Sequence, residues 1–155
     1  MKETWTRKEV AEITGIPDRR VLFYTEQSLL LPGVKKDTGR GTARLYTIES
    51  IFYLLVIKEL SELGLSLTQI RLIVTMIVAS EQKPFSKMKG FPEFELWENG
   101  KFTKTPIIMV IASDDSKPHS INMGFVVGEI KVKLKADKSS QIILNLNEIF
   151  NKAVF

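Results

Sequence analysis

Apolar residues recur at helical spacing through the first half of the chain, and polar caps and glycines punctuate them. Thr6 followed three residues later by Glu9 is a capping box, and Val10, Ala11 and Ile13 give one inward face of a first helix running to about Thr14. Gly15 sits where a left-handed C-terminal residue is wanted, and Ile16 turns the chain. Pro17 has a preset φ and no amide hydrogen to lose, so it favours the first turn of a second helix, with Asp18 at the positive helix end. The spacing there turns Val21 and Leu22 toward the core and leaves Arg19, Arg20, Phe23 and Tyr24 partly outward. Two short helices across a tight glycine turn make a helix-turn-helix.

Beyond Leu29-Leu30-Leu31-Pro32 lies a polar, turn-rich segment with Lys35 and Lys36, then a glycine-bracketed basic hairpin ending in the alternating Arg44-Leu45-Tyr46. That pattern reads as a β-wing, a loop that carries cations to a nucleic-acid backbone. Thr47 caps a helix from about Ile48 to Leu63, with a wide apolar face including Ile51, Leu54 and Leu55, a thin polar one with Lys58 and Glu62, and Gly64 as its stop. Ser66 with Gln69 forms a second capping box and opens an apolar helix to about Ser80. Lys83-Pro84 ends it, because proline disfavours helical geometry in the residue before it.

The periodicity then shortens to two. Phe94 to Trp97 alternates, Asn99-Gly100 before Lys101-Phe102 is a hairpin signal, and Ile107 to Ala112 is an apolar run of buried-strand length. Glu129 to Lys135 alternates with lysines on one face, Gln141 to Leu146 reads as a closing strand, and Asn147 caps a terminal helix bearing Ile149, Phe150 and Val154. The expected fold is α+β: a four-helix winged helix-turn-helix domain over 1–80, then a small β-rich domain with a C-terminal helix over 81–155.

Composition narrows the chemistry. With 155 residues, 44% of them apolar, and no cysteine, the chain is an ordinary globular one that excludes disulfides, thiolate metal sites and cysteine nucleophiles. The longest greasy run, Leu65 to Ala79, is broken by polar residues and does not span a bilayer, and the start has no apolar signal region, so a cytoplasmic, nucleoid-associated protein with no membrane partner is expected. Asp114-Asp115 reads as a solvated turn. His119, the one histidine, has no evident nucleophile beside it, so no catalytic residue, metal or cofactor is assigned. The aromatics Phe85, Phe91, Phe94, Trp97 and Phe102 suit the second domain's own core. A net charge of +4 says little, but the arginines are unevenly placed. All six fall between Arg7 and Arg71, and four of them lie between Pro17 and Tyr46.

These stretches together resemble the DNA-binding domain of the MerR family of transcriptional regulators from about Thr4 to Ile73. Thr14-Gly15-Ile16-Pro17-Asp18-Arg19 is similar to that family's turn and recognition-helix opening, and Phe23-Tyr24 to its aromatic pair. Leu29-Leu30-Leu31-Pro32 matches the link into the wing, Arg44-Leu45-Tyr46-Thr47 the wing's exit, and Leu60-Ser61-Glu62-Leu63-Gly64-Leu65-Ser66-Leu67 the helix junction. The sequence departs from the pattern at Leu22, where an arginine is common, at Thr25, where an acid usually follows the aromatic pair, and at Ala43, where a wing aromatic is common. The resemblance implies that Arg19, Tyr24 and Arg44 contact double-stranded DNA. Local chemistry adds Arg20, Lys35, Lys36 and Arg40 as phosphate partners and Phe23 on the exposed helix face. Tyr46 belongs either to that face or to the core at the wing base. Members of the family dimerise through a long helix for which this chain has no room, so a homodimer would draw on the second half or on the Leu72, Ile73, Met76 and Ile77 face. The expected function is a sequence-specific regulator acting as a dimer on promoter DNA, with the second domain serving dimerisation or an unidentified small-molecule effector. The alternatives are an excisionase-like architectural DNA-binding factor and a protein-binding adaptor.

Overall fold

The computed structural model describes residues 3–30, 34–35, 44–81, 97–98, 101–102, 107–113, 121–127 and 141–152. The chain forms two compact units, Met1–Thr75 with Ile149–Phe155, and Met76–Glu148. The described residues make an α+β fold with five helices, none of them long and apolar enough to cross a membrane.

The first unit begins with β1 (Trp5–Thr6), α1 (Arg7–Thr14) and α2 (Asp18–Glu26). The capping box at Thr6 forms: the Thr6 amide donates to Glu9 Oε2 at 2.8 Å, and the Glu9 amide donates to Thr6 Oγ1 at 3.4 Å. Gly15 ends α1 at φ +66°, the left-handed region a glycine enters without a Cβ penalty. Pro17 stands one residue before the helix rather than in its first turn, and its carbonyl accepts the Arg20 and Val21 amides at 2.7 and 3.1 Å.

The wing base is a three-stranded antiparallel sheet of order β1-β3-β2, with β2 Val34–Lys35 and β3 Leu45–Tyr46. Tyr46 lies opposite both Trp5 and Val34. The contribution of Trp5–Thr6 is invisible in the sequence, because two residues carry no periodicity. Tyr46 is wholly buried, which settles its place as core.

Helix α3 (Ile48–Glu62) departs from the expected amphipathic stripe, because every residue from Ser50 to Ile57 is buried. A helix covered on all sides is the core of its unit. Part of the cover comes from the other end of the chain: Ile149 is 3% exposed, the Phe150 ring lies 6.4 Å from that of Phe52, and Lys152 pairs with Glu59. Helix α4 (Leu67–Glu81) opens with the Ser66–Gln69 capping box and buries Ile70, Ile73, Val74 and Ile77, spaced i, i+3, i+4, i+7. Of the four residues considered for a dimer face, Ile73 and Ile77 are therefore spent on the fold, Met76 is half-buried, and Leu72 is exposed.

Helices α2 and α3 end alike. Gly64, at φ +83°, lets its own amide reach Ser61 O at 3.0 Å and the Leu65 amide reach Leu60 O at 3.1 Å. At α2 the same paired bonds run from Ser28 to Thr25 O at 3.2 Å and from Leu29 to Tyr24 O at 3.1 Å, but the left-handed residue is Ser28 at φ +53°. A serine pays a steric penalty there that glycine does not. Ser28→Gly is expected to stabilise the protein by about 0.5–1 kcal/mol after the extra unfolded-state entropy of glycine is subtracted. A higher urea midpoint at constant m is the readout, and an unchanged midpoint would refute it.

In the second unit β4 (Trp97–Glu98) and β5 (Lys101–Phe102) pair across Asn99-Gly100, as the hairpin signal predicts. A second sheet has the order β7-β6-β8, with β6 Ile107–Ser113 between β7 Ile121–Val127 and β8 Gln141–Asn145, all antiparallel. Met109 and Ile111 of β6 and Leu144 of β8 are buried. The terminal helix α5 (Leu146–Asn151) is capped by Asn145, not Asn147: Asn145 Oδ1 accepts the Asn147 and Glu148 amides at 3.1 and 3.3 Å. The strand ends one residue earlier than its apolar pattern, because Leu146 is already helical. The strand expected over 129–135, Asp114, Asp115, His119 and the aromatics Phe85, Phe91 and Phe94 lie outside the described residues.

Candidate nucleic-acid interface

The turn between α1 and α2 is held from three sides. Thr14 Oγ1 donates to Val10 O at 2.7 Å and accepts the Ile16 amide at 3.2 Å. Lys58 of α3 donates its ammonium to Thr14 O at 3.0 Å, placing a cation where the last carbonyls of α1 concentrate negative charge. A Cβ added at Gly15 would lie 3.3 Å from Lys58 Nζ, so the glycine serves both the left-handed backbone and this close approach. Lys58, which reads in the sequence as part of a thin solvated face, is a positioning residue for the turn.

The outer surface of α2 follows from 100° per residue. Val21 and Tyr24 are buried, Arg19, Arg20 and Phe23 are exposed, and Leu22 is half-buried. The expected orientation is thus corrected at two positions, because Tyr24 turns in where Leu22 was expected. The core side of α2 is centred between Val21 and Tyr24, one helical turn apart, and Leu22 lies to one flank. Tyr24 is 6% exposed, with its ring 5.8 Å from that of Phe23, and it lines a small cleft of about 90 Å³ with Arg20, Lys58 and Glu62. It supports the ridge rather than standing on it.

Thr25 explains itself once Tyr46 is placed. Its hydroxyl donates to Val21 O at 2.8 Å, which leaves its oxygen to accept from the Tyr46 hydroxyl at 3.1 Å. Thr25 therefore ties α2 to the wing base.

Beside α2 runs a groove of about 620 Å³, lined by Thr6, Arg7 and Lys8, by Leu22 and Glu26 of α2, and by Arg44 and Tyr46 at the wing base. Arg19 precedes Leu22 by three residues, so it opens on the same side of α2 as this groove. The cations divide cleanly. Arg7 Nε donates to Asp18 Oδ1 at 2.7 Å, a bond that raises the guanidinium pKa above its already high value. Arg71 donates to Gln27 O at 3.0 Å, at the end of α2. Arg19, Arg20, Arg44 and Lys8 are exposed, and none has an ionic partner among the described residues. Two of the six arginines are thus spent on holding α2, and three are left open to solvent. Lys35 lies in β2 opposite Leu45, and Lys36 and Arg40 fall outside the described residues. Lys8 is a groove residue outside the set expected from the sequence. Its signal was a cation in the first turn of a helix, where the dipole disfavours one. Among the described residues no group of three or more His, Asp or Glu side chains is placed to hold a metal ion.

A protein-family model described as MerR HTH family regulatory protein matches residues 6–77. The chain is also similar to an uncharacterized HTH-type transcriptional regulator of Mycobacterium bovis and to regulators of the same description in two strains of Mycobacterium tuberculosis. Each is 35% identical over 63 residues, which is 41% of this chain and 28% of the relative. The match thus spans little more than a quarter of the length of those relatives.

Proposed function

We propose that residues 6–77, which the MerR HTH family model matches, are a DNA-binding helix-turn-helix domain, and that the protein is a transcriptional regulator that binds double-stranded DNA in a sequence-dependent way. The observation that carries this reading is the sorting of the arginines: those facing the protein are satisfied by it, and those on the α2 ridge and at the wing base are not. An uncompensated guanidinium on a rigid helix is suited to a phosphate or to the N7 and O6 edge of guanine. Arg19 and Arg20 with Phe23 enter the major groove, Phe23 supplying an apolar surface for a thymine methyl. Arg44, with Lys35, Lys36 and Arg40 of the wing, takes the flanking backbone. The protein acts as a dimer on promoter DNA, with residues 81–155 as the dimerisation or effector domain and no catalytic role assigned. Two recognition helices then reach half-sites one helical turn apart, roughly 34–36 Å. Selection from a random double-stranded pool tests this. The expected product is an enriched motif with two inverted half-sites, and a pool that leaves the selection without enrichment contradicts sequence-specific binding.

A further inference from the structure

Lys8 occupies an electrostatically unfavourable place. It lies in the first turn of α1, where backbone amides concentrate positive charge, and its neighbour Arg7 adds another cation. Arg7 is compensated by Asp18 at 2.7 Å. Lys8 is exposed, with no partner among the described residues, and it faces a groove whose other free cation is Arg44. Among the described residues no ion pair or hydrogen bond uses this charge, which leaves it open to something outside the protein. An open groove with one free cation from α1 and another from the wing base suits a polyanionic strand passing between them.

We propose that Lys8 and Arg44 form a clamp for the phosphodiester backbone, with Lys8 as a DNA-positioning residue that grips a phosphate from the α1 side of the groove. The clamp rests on the DNA-binding reading above and assigns the groove a ligand, the sugar-phosphate chain rather than the base edges. Base readout falls to the α2 ridge. Leu22, half-buried in the groove wall, offers no hydrogen bond that would compete for the strand. The Glu26 carboxylate in the same wall repels phosphate and keeps the strand to the Lys8 and Arg44 sides.

Three variants at Lys8 test the clamp. Lys8→Ala removes one phosphate contact, so the slope of log affinity against log salt falls by about 0.9, and affinity at about 0.15 M salt falls roughly fivefold, equally for selected and unrelated duplexes. Lys8→Glu lowers affinity further, because the reversed charge adds repulsion of the phosphate to the lost contact. Lys8→Arg restores the wild-type slope. Binding is followed by fluorescence anisotropy of the full chain on labelled duplexes across a salt series, with Arg19→Ala beside it as a control for base readout. A wild-type slope in Lys8→Ala overturns the clamp and leaves the regulator reading standing, whereas a wild-type protein that binds neither selected nor unrelated duplexes overturns both. A loss confined to one DNA sequence also overturns the clamp, since it would make Lys8 a base reader.

Discussion

The Arg19→Ala, Arg44→Ala double variant is expected to lose roughly a hundredfold or more in affinity for its selected duplex, while its unfolding midpoint stays at the wild-type value. A base-edge contact such as that of Arg19 contributes about 1–3 kcal/mol and a phosphate contact such as that of Arg44 about 1 kcal/mol at about 0.15 M salt, and the two residues come from separate elements, so their losses should nearly add. Neither side chain has an ionic partner in the described fold, which is why stability should not move. The contrasting control is Arg7→Ala. That change frees Asp18 and removes a pair whose side chains are each 39% exposed, a loss of at most about 1 kcal/mol of stability. Anisotropy and urea unfolding on the same samples separate the two outcomes. A double variant that keeps wild-type affinity would place the DNA on another surface.

Tyr46→Ala should be the most destabilising single change at the interface, at about 3–5 kcal/mol, the range for emptying a buried aromatic site. The ring is wholly buried and its backbone sits between β1 and β2, so the cavity opens where three strands meet. The hydroxyl contributes separately. Tyr46→Phe removes the donor to Thr25 while leaving Thr25 bonded to Val21 O, and should cost only about 0.5–1.5 kcal/mol. Thermal unfolding of both variants checks the order, and equal losses would mean that the hydroxyl, not the ring, holds the wing base to α2.

These contrasts show where the residues declare their roles and where they do not. Caps and stops are local chemistry, so Thr6 with Glu9, Ser66 with Gln69, Gly15 and Gly64 could be read from spacing alone, and each is found in the bonds described. The Asn99-Gly100 hairpin is of the same kind. Long-range partners are not local. Nothing near Lys58 announces that its ammonium will reach Thr14 O, forty-four residues away in sequence, and nothing near Phe52 announces Phe150. The all-round burial of α3 follows from such partners, which is why an apparently amphipathic helix becomes the centre of its unit. Tyr24 turns inward for a related reason: Leu22 and Tyr24 flank Val21 on opposite sides of α2, so the sequence offers two inward faces, and the fold buries the Val21–Tyr24 side. The cations illustrate the limit most directly. Charge clustering marks the region, but only coordinates separate Arg7 and Arg71, bound to their own fold, from Arg19, Arg20, Arg44 and Lys8.

Amide chemical-shift mapping of the isotopically labelled full chain, titrated with a duplex from the selection, bears most directly on whether the α2 ridge and the wing base together form the DNA surface. The expected result is a contiguous set of shifts over Arg19 to Phe23, the first turn of α1 at Lys8, and Arg44, with Met109, Ile111 and Leu144 unmoved. Shifts gathered in the second unit, with α2 silent, would contradict it.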